Sequence, residues 1–122
     1  MPYTPNEVWE QAIGCPYART IKSGALESAV EFYGVYIIKS GLGYEYKTCH
    51  ISNGEYYDQL SNVHQTMFLR LGYLDAALAI AIELLEKKAA RFEKHTTKTS
   101  SSILKNINKK LCQLKEIQTK NQ

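Results

Sequence analysis

The longest regular pattern in the chain lies at residues 73–94, YLDAALAIAIELLEKKAARFEK, a stretch of strong helix formers without Gly or Pro. Its first half is apolar nearly all round. Leu74, Ala76, Ala77, Leu78, Ala79, Ile80, Ala81, Ile82, Leu84 and Leu85 leave no solvent face between Asp75 and Glu83, and such a helix has to be buried. From Glu83 onward the pattern turns amphipathic, with Leu85, Ala89 and Phe92 on one side and Glu86, Lys87, Lys88, Arg91 and Lys94 around the rest. One end belongs to a core and the other to a charged surface.

The opening MPYTPNEVWEQAIG reads as a short helix with Thr4 as N-cap, Pro5 at its first position, Glu7 in the first turn, Gly14 as the stop and Val8, Trp9, Ala12 and Ile13 facing inward. Residues 23–41 admit two readings. Leu26, Ala29, Val30, Tyr33, Tyr36 and Ile37 match helical spacing, which predicts a helix. The aromatic and β-branched run at 32–38 suits a strand paired with residues 44–51 through Gly41-Leu42-Gly43. Residues 52–55 form the capping pattern S-x-x-E ahead of Tyr56, Leu60, Val63, Met67 and Leu71, predicting a helix that Gly72 ends or bends. After a polar linker at 96–102, Leu104, Ile107, Leu111 and Leu114 alternate at spacings of three and four, a short heptad seam flanked by lysines. The pattern predicts an all-α protein, a single small bundle of four to five helices, with a short β-hairpin over residues 31–51 as the alternative. A helical core domain would span 1–95, and the linker and basic C-terminal helix 96–122.

Bulk properties narrow the class. A chain of 122 residues that is 44% hydrophobic can build one core. No apolar run is long enough to cross a bilayer, and the N-terminus lacks a signal-peptide pattern, so a cytoplasmic location with no membrane partner is expected. Cys15, Cys49 and Cys112 are odd in number and far apart, which fits reduced thiols. Cys49 adjoins His50, but no set of about four ligands converges with them, so neither a metal nor a cofactor is expected. No small-molecule site stands out.

Charge changes the picture more. Residues 1–80 carry five Lys or Arg against eight Asp or Glu, net −3, whereas residues 81–122 carry ten against four, net +6. That basic third is suited to an acidic partner such as nucleic acid, with Lys87, Lys88, Arg91, Lys94, Lys98, Lys105, Lys109 and Lys110 as candidate backbone contacts. The alternative is that the lysines solvate two helices, since Arg91 is the one Arg of this third. Six of the nine tyrosines fall between residues 33 and 57. An apolar ring with a polar tip suits a half-buried interface, so Tyr33, Tyr36, Tyr44 and Tyr46, with Leu104, Ile107, Leu111 and Leu114, are the candidate protein-partner or self-association residues. The rings could equally rim a small core.

Catalytic patterns are weak. No Cys and His are singled out together with a third orienting group, and Gly41-Leu42-Gly43 lacks the trailing glycine of a phosphate loop. Arg91 and His95 lie one turn apart, an arrangement that resembles the helical RNA-cleaving toxins of the HEPN superfamily. That family separates the pair by four to six residues where RFEKH has three, and has Asn or Asp where this chain has Phe92. Last-turn cations that favour the helix dipole explain the pair more simply.

PYARTIKSGALESAVEFY followed by YLDAALAIAIELLEKKAARFEK resembles the small all-helical subunit of type III CRISPR effector complexes, over about two thirds of the chain and by helical pattern alone. The extension over residues 100–122 falls outside that pattern. The resemblance implies an oligomeric, non-catalytic subunit of an antiviral assembly, stacked in several copies along a guide–target duplex with Lys87, Lys88, Arg91 and Lys94 near phosphate. The function expected is therefore a small accessory subunit that binds nucleic-acid backbone non-specifically. The alternative is a phage- or plasmid-type regulator or inhibitor that binds a protein through the Tyr-rich segment and the heptad seam, and a helical ribonuclease toxin is third.

Overall fold

The computed structural model describes residues 2–23, 27–40, 43–50, 56–94 and 98–120. Leu26, the Gly41-Leu42 part of the expected turn, the capping pattern at 52–55 and His95 lie outside these residues. The chain order is α1 (Pro5–Ile13), β1 (Arg19–Ser23), β2 (Glu27–Phe32), β3 (Val35–Ser40), β4 (Gly43–His50), β5 (Tyr56–Gln59), α2 (Asn62–Leu71), α3 (Tyr73–Glu93) and α4 (Lys98–Lys120). Helices carry the larger share of this regular structure. The protein is nonetheless not purely α, since the five strands form one antiparallel meander in the order β1-β2-β3-β4-β5. The chain divides into two compact units, Met1–Ala77 and Leu78–Gln122.

In the first unit, α1 starts as its sequence predicts. The Thr4 hydroxyl accepts from the Glu7 N–H at 3.2 Å, and the Glu7 carboxylate accepts from the Thr4 N–H at 3.1 Å, a reciprocal cap on two otherwise unpaired donors. Val8, Trp9 and Ala12 are buried, whereas Ile13 is 52% exposed and does not belong to the inner face. α1 lies against β3, and the Lys39 ammonium sits 5.9 Å from the centre of the Trp9 ring.

The helix expected over residues 23–41 is instead the β2–β3 hairpin. Phe32 pairs with Val35, and the two residues between them, Tyr33 (φ 48°) and Gly34 (φ 89°), both have positive φ. A two-residue hairpin loop needs that conformation, because it matches the twist of the strands. Gly34 would be a weak point inside a helix and is the natural residue of this turn. Pairing buries Val30, Phe32, Val35 and Ile37, with Val30 opposite Ile37. The apolar positions of a short run fit either period, and here the sheet wins by burying these branched and aromatic side chains. The alternative hairpin at 31–51 is present as β3 and β4, with Ser40 opposite Gly43, within a larger sheet.

The helix expected from residue 56 is corrected similarly. Tyr56 and Tyr57 belong to β5, opposite His50 and Cys49 of β4. α2 begins only at Asn62, capped by the Ser61 hydroxyl, which accepts from the His64 N–H at 3.3 Å. Leu60 and Phe68 are buried, whereas Val63 is 72% exposed and Leu71 is on the surface, so the expected apolar stripe is not the buried face. Gly72 ends α2: its N–H donates to the Phe68 carbonyl at 3.0 Å, and its own carbonyl accepts from the Ala76 N–H at 3.2 Å. Its φ of +86° is easy only for glycine, and a Cβ there would lie 3.0 Å from Gln11 Oε1 and 3.3 Å from the Tyr3 ring.

The first half of α3 is buried as its composition demands, at Ala76, Ala77, Leu78, Ile80 and Ala81. In the second unit, α3 and α4 pack through Ala89, Ile107 and Leu111, with Ile82, Leu85, Phe92, Ile103 and Leu104 around them. Each large aliphatic side chain so buried contributes about 1.5–3 kcal/mol. α4 starts at Lys98, so residues 98–102 of the expected linker are helical, and Ser100 is buried. The Ser and Thr residues cost a helix little, and no Gly or Pro interrupts it.

Candidate nucleic-acid interface

The eight candidate cations all lie in the second unit, seven on α3 or α4 and Lys94 just past the end of α3. Lys87 is exposed and pairs one turn back with Glu83 at 3.2 Å, a surface contact of small energetic weight. Arg91, Lys94, Lys98, Lys105 and Lys109 are exposed. Lys88 and Lys110 are half-buried beside the apolar contact between the helices. Burial first, then the charges of Lys110 and Arg91, lower Lys88 from the ordinary lysine value. Lys88 therefore has Arg91 of its own helix and Lys110 of α4 near it, while Lys98, Lys105 and Lys109, at spacings of seven and four, share one side of α4. Sequence periodicity places Lys88 and Arg91 on one side of α3, but Lys110, 22 positions on from Lys88, joins them only through the packing of α4.

The candidate partner residues separate. Ile107, Leu111 and Leu114 are buried and Leu104 packs on the Ala89–Ile107–Leu111 cluster, so the heptad seam is used within this chain. Tyr33 occupies the β2–β3 turn, its ring edge-on to Phe32 at 4.9 Å. Tyr36 donates its hydroxyl to Glu31 at 2.8 Å. Tyr44 and Tyr46 belong to β4, opposite Lys39 and Ile37, whereas Tyr36 stands opposite Lys47. These registers do not set the four tyrosines in one row.

Two arrangements were not legible in the residue pattern. Arg19, Glu31 and Tyr36 are aligned across β1, β2 and β3, with Arg19 Nη2 donating to Glu31 Oε2 at 2.6 Å. The hydrogen bond and charge of Glu31 raise Arg19 above its usual value. The alignment depends on hairpin register, which a helical reading of 23–41 hides. The second is Tyr73, 1% exposed, whose hydroxyl has no hydrogen-bond partner among the described residues. Burial, followed by the charges of Cys15 and Glu31, pushes its phenol strongly upward.

No three His, Cys, Asp or Glu among the described residues are grouped to hold a metal ion. No described helix is long and apolar enough to cross a membrane. A shallow depression along α3 is lined by Ala79, Ile82, Glu83, Glu86, Lys87 and Ala90. Comparisons with protein-family models, with curated proteins and with solved structures found no match to this chain.

Proposed function

We propose that this protein is a non-catalytic accessory subunit of a nucleoprotein assembly that contacts nucleic-acid backbone through its basic C-terminal third. The carrying observation is the charge segregation, net +6 in residues 81–122, with Arg91, Lys98, Lys105 and Lys109 exposed on α3 and α4 and Lys94 exposed just past α3. Phosphate contacts of this kind are electrostatic and release counterions, so the affinity depends on salt and little on base sequence. The proposal does not lean on the likeness to CRISPR small subunits, because five strands over residues 19–59 depart from that all-helical pattern. The rival, a protein-binding regulator, has less support: its seam residues Ile107, Leu111 and Leu114 are already buried.

Titration of the full chain into labelled single- and double-stranded nucleic acid at low and moderate salt tests the proposal. Binding at low salt that weakens steeply as salt rises is the expected result. No binding at low salt refutes it.

A further inference from the structure

The charge of residues 81–122 is unevenly shared between its two helices. Residues 81–97 carry four Lys or Arg against three Glu, net +1, whereas residues 98–122 carry six Lys against Glu116, net +5. On α3 the acids sit among the bases: Glu83 pairs with Lys87 at 3.2 Å, and Glu86 and Glu93 flank Lys88 and Arg91 in the chain. α4 has no Asp or Glu from Lys98 to Lys115. Its exposed Lys98, Lys105 and Lys109, at spacings of seven and four, share one side of the helix with the exposed thiol of Cys112, seven residues on from Lys105. At about 3.6 residues per turn that side is opposite the one that buries Ile107, Leu111 and Leu114, so the packing that seats α4 turns the lysine row to solvent. The row from Lys98 to Lys109 is about 16 Å long. None of the three lysines has an ion-pair partner among the described residues, and Lys105 and Lys109, one turn apart, repel each other. A face that only solvates a helix interleaves Glu with Lys at that spacing, whereas this one carries a charge that a polyanion would neutralise.

The occupant follows from what else the helix lacks. α4 contains no Phe, Tyr, Trp or Arg. Unpaired bases bind by stacking on aromatic rings, and the guanidinium fork is the commonest reader of base edges, so the row offers point charges for phosphate and nothing for exposed bases. A duplex stacks its bases inside and presents regularly spaced phosphates along a stiff rod, which matches a straight row of lysines.

We propose that the outward face of α4, through Lys98, Lys105 and Lys109, docks the phosphate backbone of a nucleic-acid duplex, with α3 outside the contact. The proposal deepens the nucleic-acid reading above and rests on it.

Two charge-matched variants of the full chain test it. K98Q/K105Q/K109Q strips the row, and K87Q/R91Q/K94Q removes the same charge on and just past α3. Each is titrated over a range of salt into labelled DNA and RNA duplexes and into their single strands, with thermal melting as the check on folding. The α4 variant is expected to lower the log–log salt slope for a duplex by about 3 and the α3 variant by less than about 1. Equal loss in the two, or greater loss in the α3 variant, overturns the α4 face and leaves nucleic-acid binding standing. Single-strand binding as tight as duplex binding overturns the choice of duplex. Absence of binding by the unaltered protein at low salt removes both this proposal and the reading beneath it. Cys112 supplies a measurement that needs no variant: bound duplex is expected to slow its alkylation by iodoacetamide several-fold, and an unchanged rate under saturating duplex overturns the face. Polyglutamate that binds as tightly as the duplex at the same salt, with the same dependence on the row, makes this a site for acidic polypeptide, and the proposal falls.

Discussion

At the scale of single residues, the junction between α2 and α3 shows how few atoms decide a local structure. Gly72 takes a conformation that other residues avoid, and the Gln11 side chain accepts from the Tyr73 N–H at 2.8 Å, supplying a cap for α3 from another helix. The next atoms along the chain carry a cost, since the buried Tyr73 hydroxyl lacks a partner among the described residues. Tyr73→Phe keeps the ring that packs near Phe68, at 6.0 Å between centroids, and removes that hydroxyl. It is expected to stabilise the fold by about 1 kcal/mol, measured by urea denaturation at neutral pH. Destabilisation would show that the hydroxyl is paired. The same phenol links stability to pH. Its folded value is raised above the ordinary tyrosine value of 10.0, so its contribution is complete below pH 10. Above that the unfolded chain loses a proton that the folded chain keeps, and stability falls as pH rises. The urea midpoint of the native protein should therefore drop more steeply above pH 10 than that of Tyr73→Phe, and parallel curves would contradict the assignment.

At the scale of elements, legibility followed the kind of interaction that forms each one. α1 and α3 were readable because caps, helix propensity and periodicity are local: Thr4, Pro5 and Glu7 specify a start within one turn, and an uninterrupted run from Tyr73 needs no distant partner to be helical. β2 and β3 were misread because Val30, Tyr33 and Ile37 fit the helical period, whereas strand pairing draws its stabilisation from another segment. Gly34 is the signal that favours the strand alternative, set midway in an apolar run where a two-residue turn makes two short strands of it. Gly34→Ala is thus expected to destabilise by about 1 kcal/mol or more, since alanine strains at a φ of 89°. A chemical denaturation midpoint equal to that of the parent would argue against this turn. The candidate cations divide along the same line, with their placement on α3 and α4 legible and the meeting of Lys110 with Lys88 dependent on packing between helices.

For the whole molecule, a net charge of +3 understates the surface a polyanion meets, because an acidic segment of −3 precedes a basic one of +6. At pH 7.5 the protein should be retained by a cation exchanger, and K98Q/K105Q/K109Q should elute at distinctly lower salt. Passage of the native chain unretained would show that the basic segment is not presented to the resin. The sequence by itself determined this charge division, the burial of the first half of α3 and the start of α1, since each depends on residue type or on neighbours within a turn. Only the tertiary structure decided that residues 27–40 pair as strands, that α4 uses its heptad seam on α3, and that Lys110 of α4 comes near Lys88 of α3. Those outcomes depend on contacts between segments distant in sequence, where competing pairings of similar local preference are separated by the apolar surface they bury.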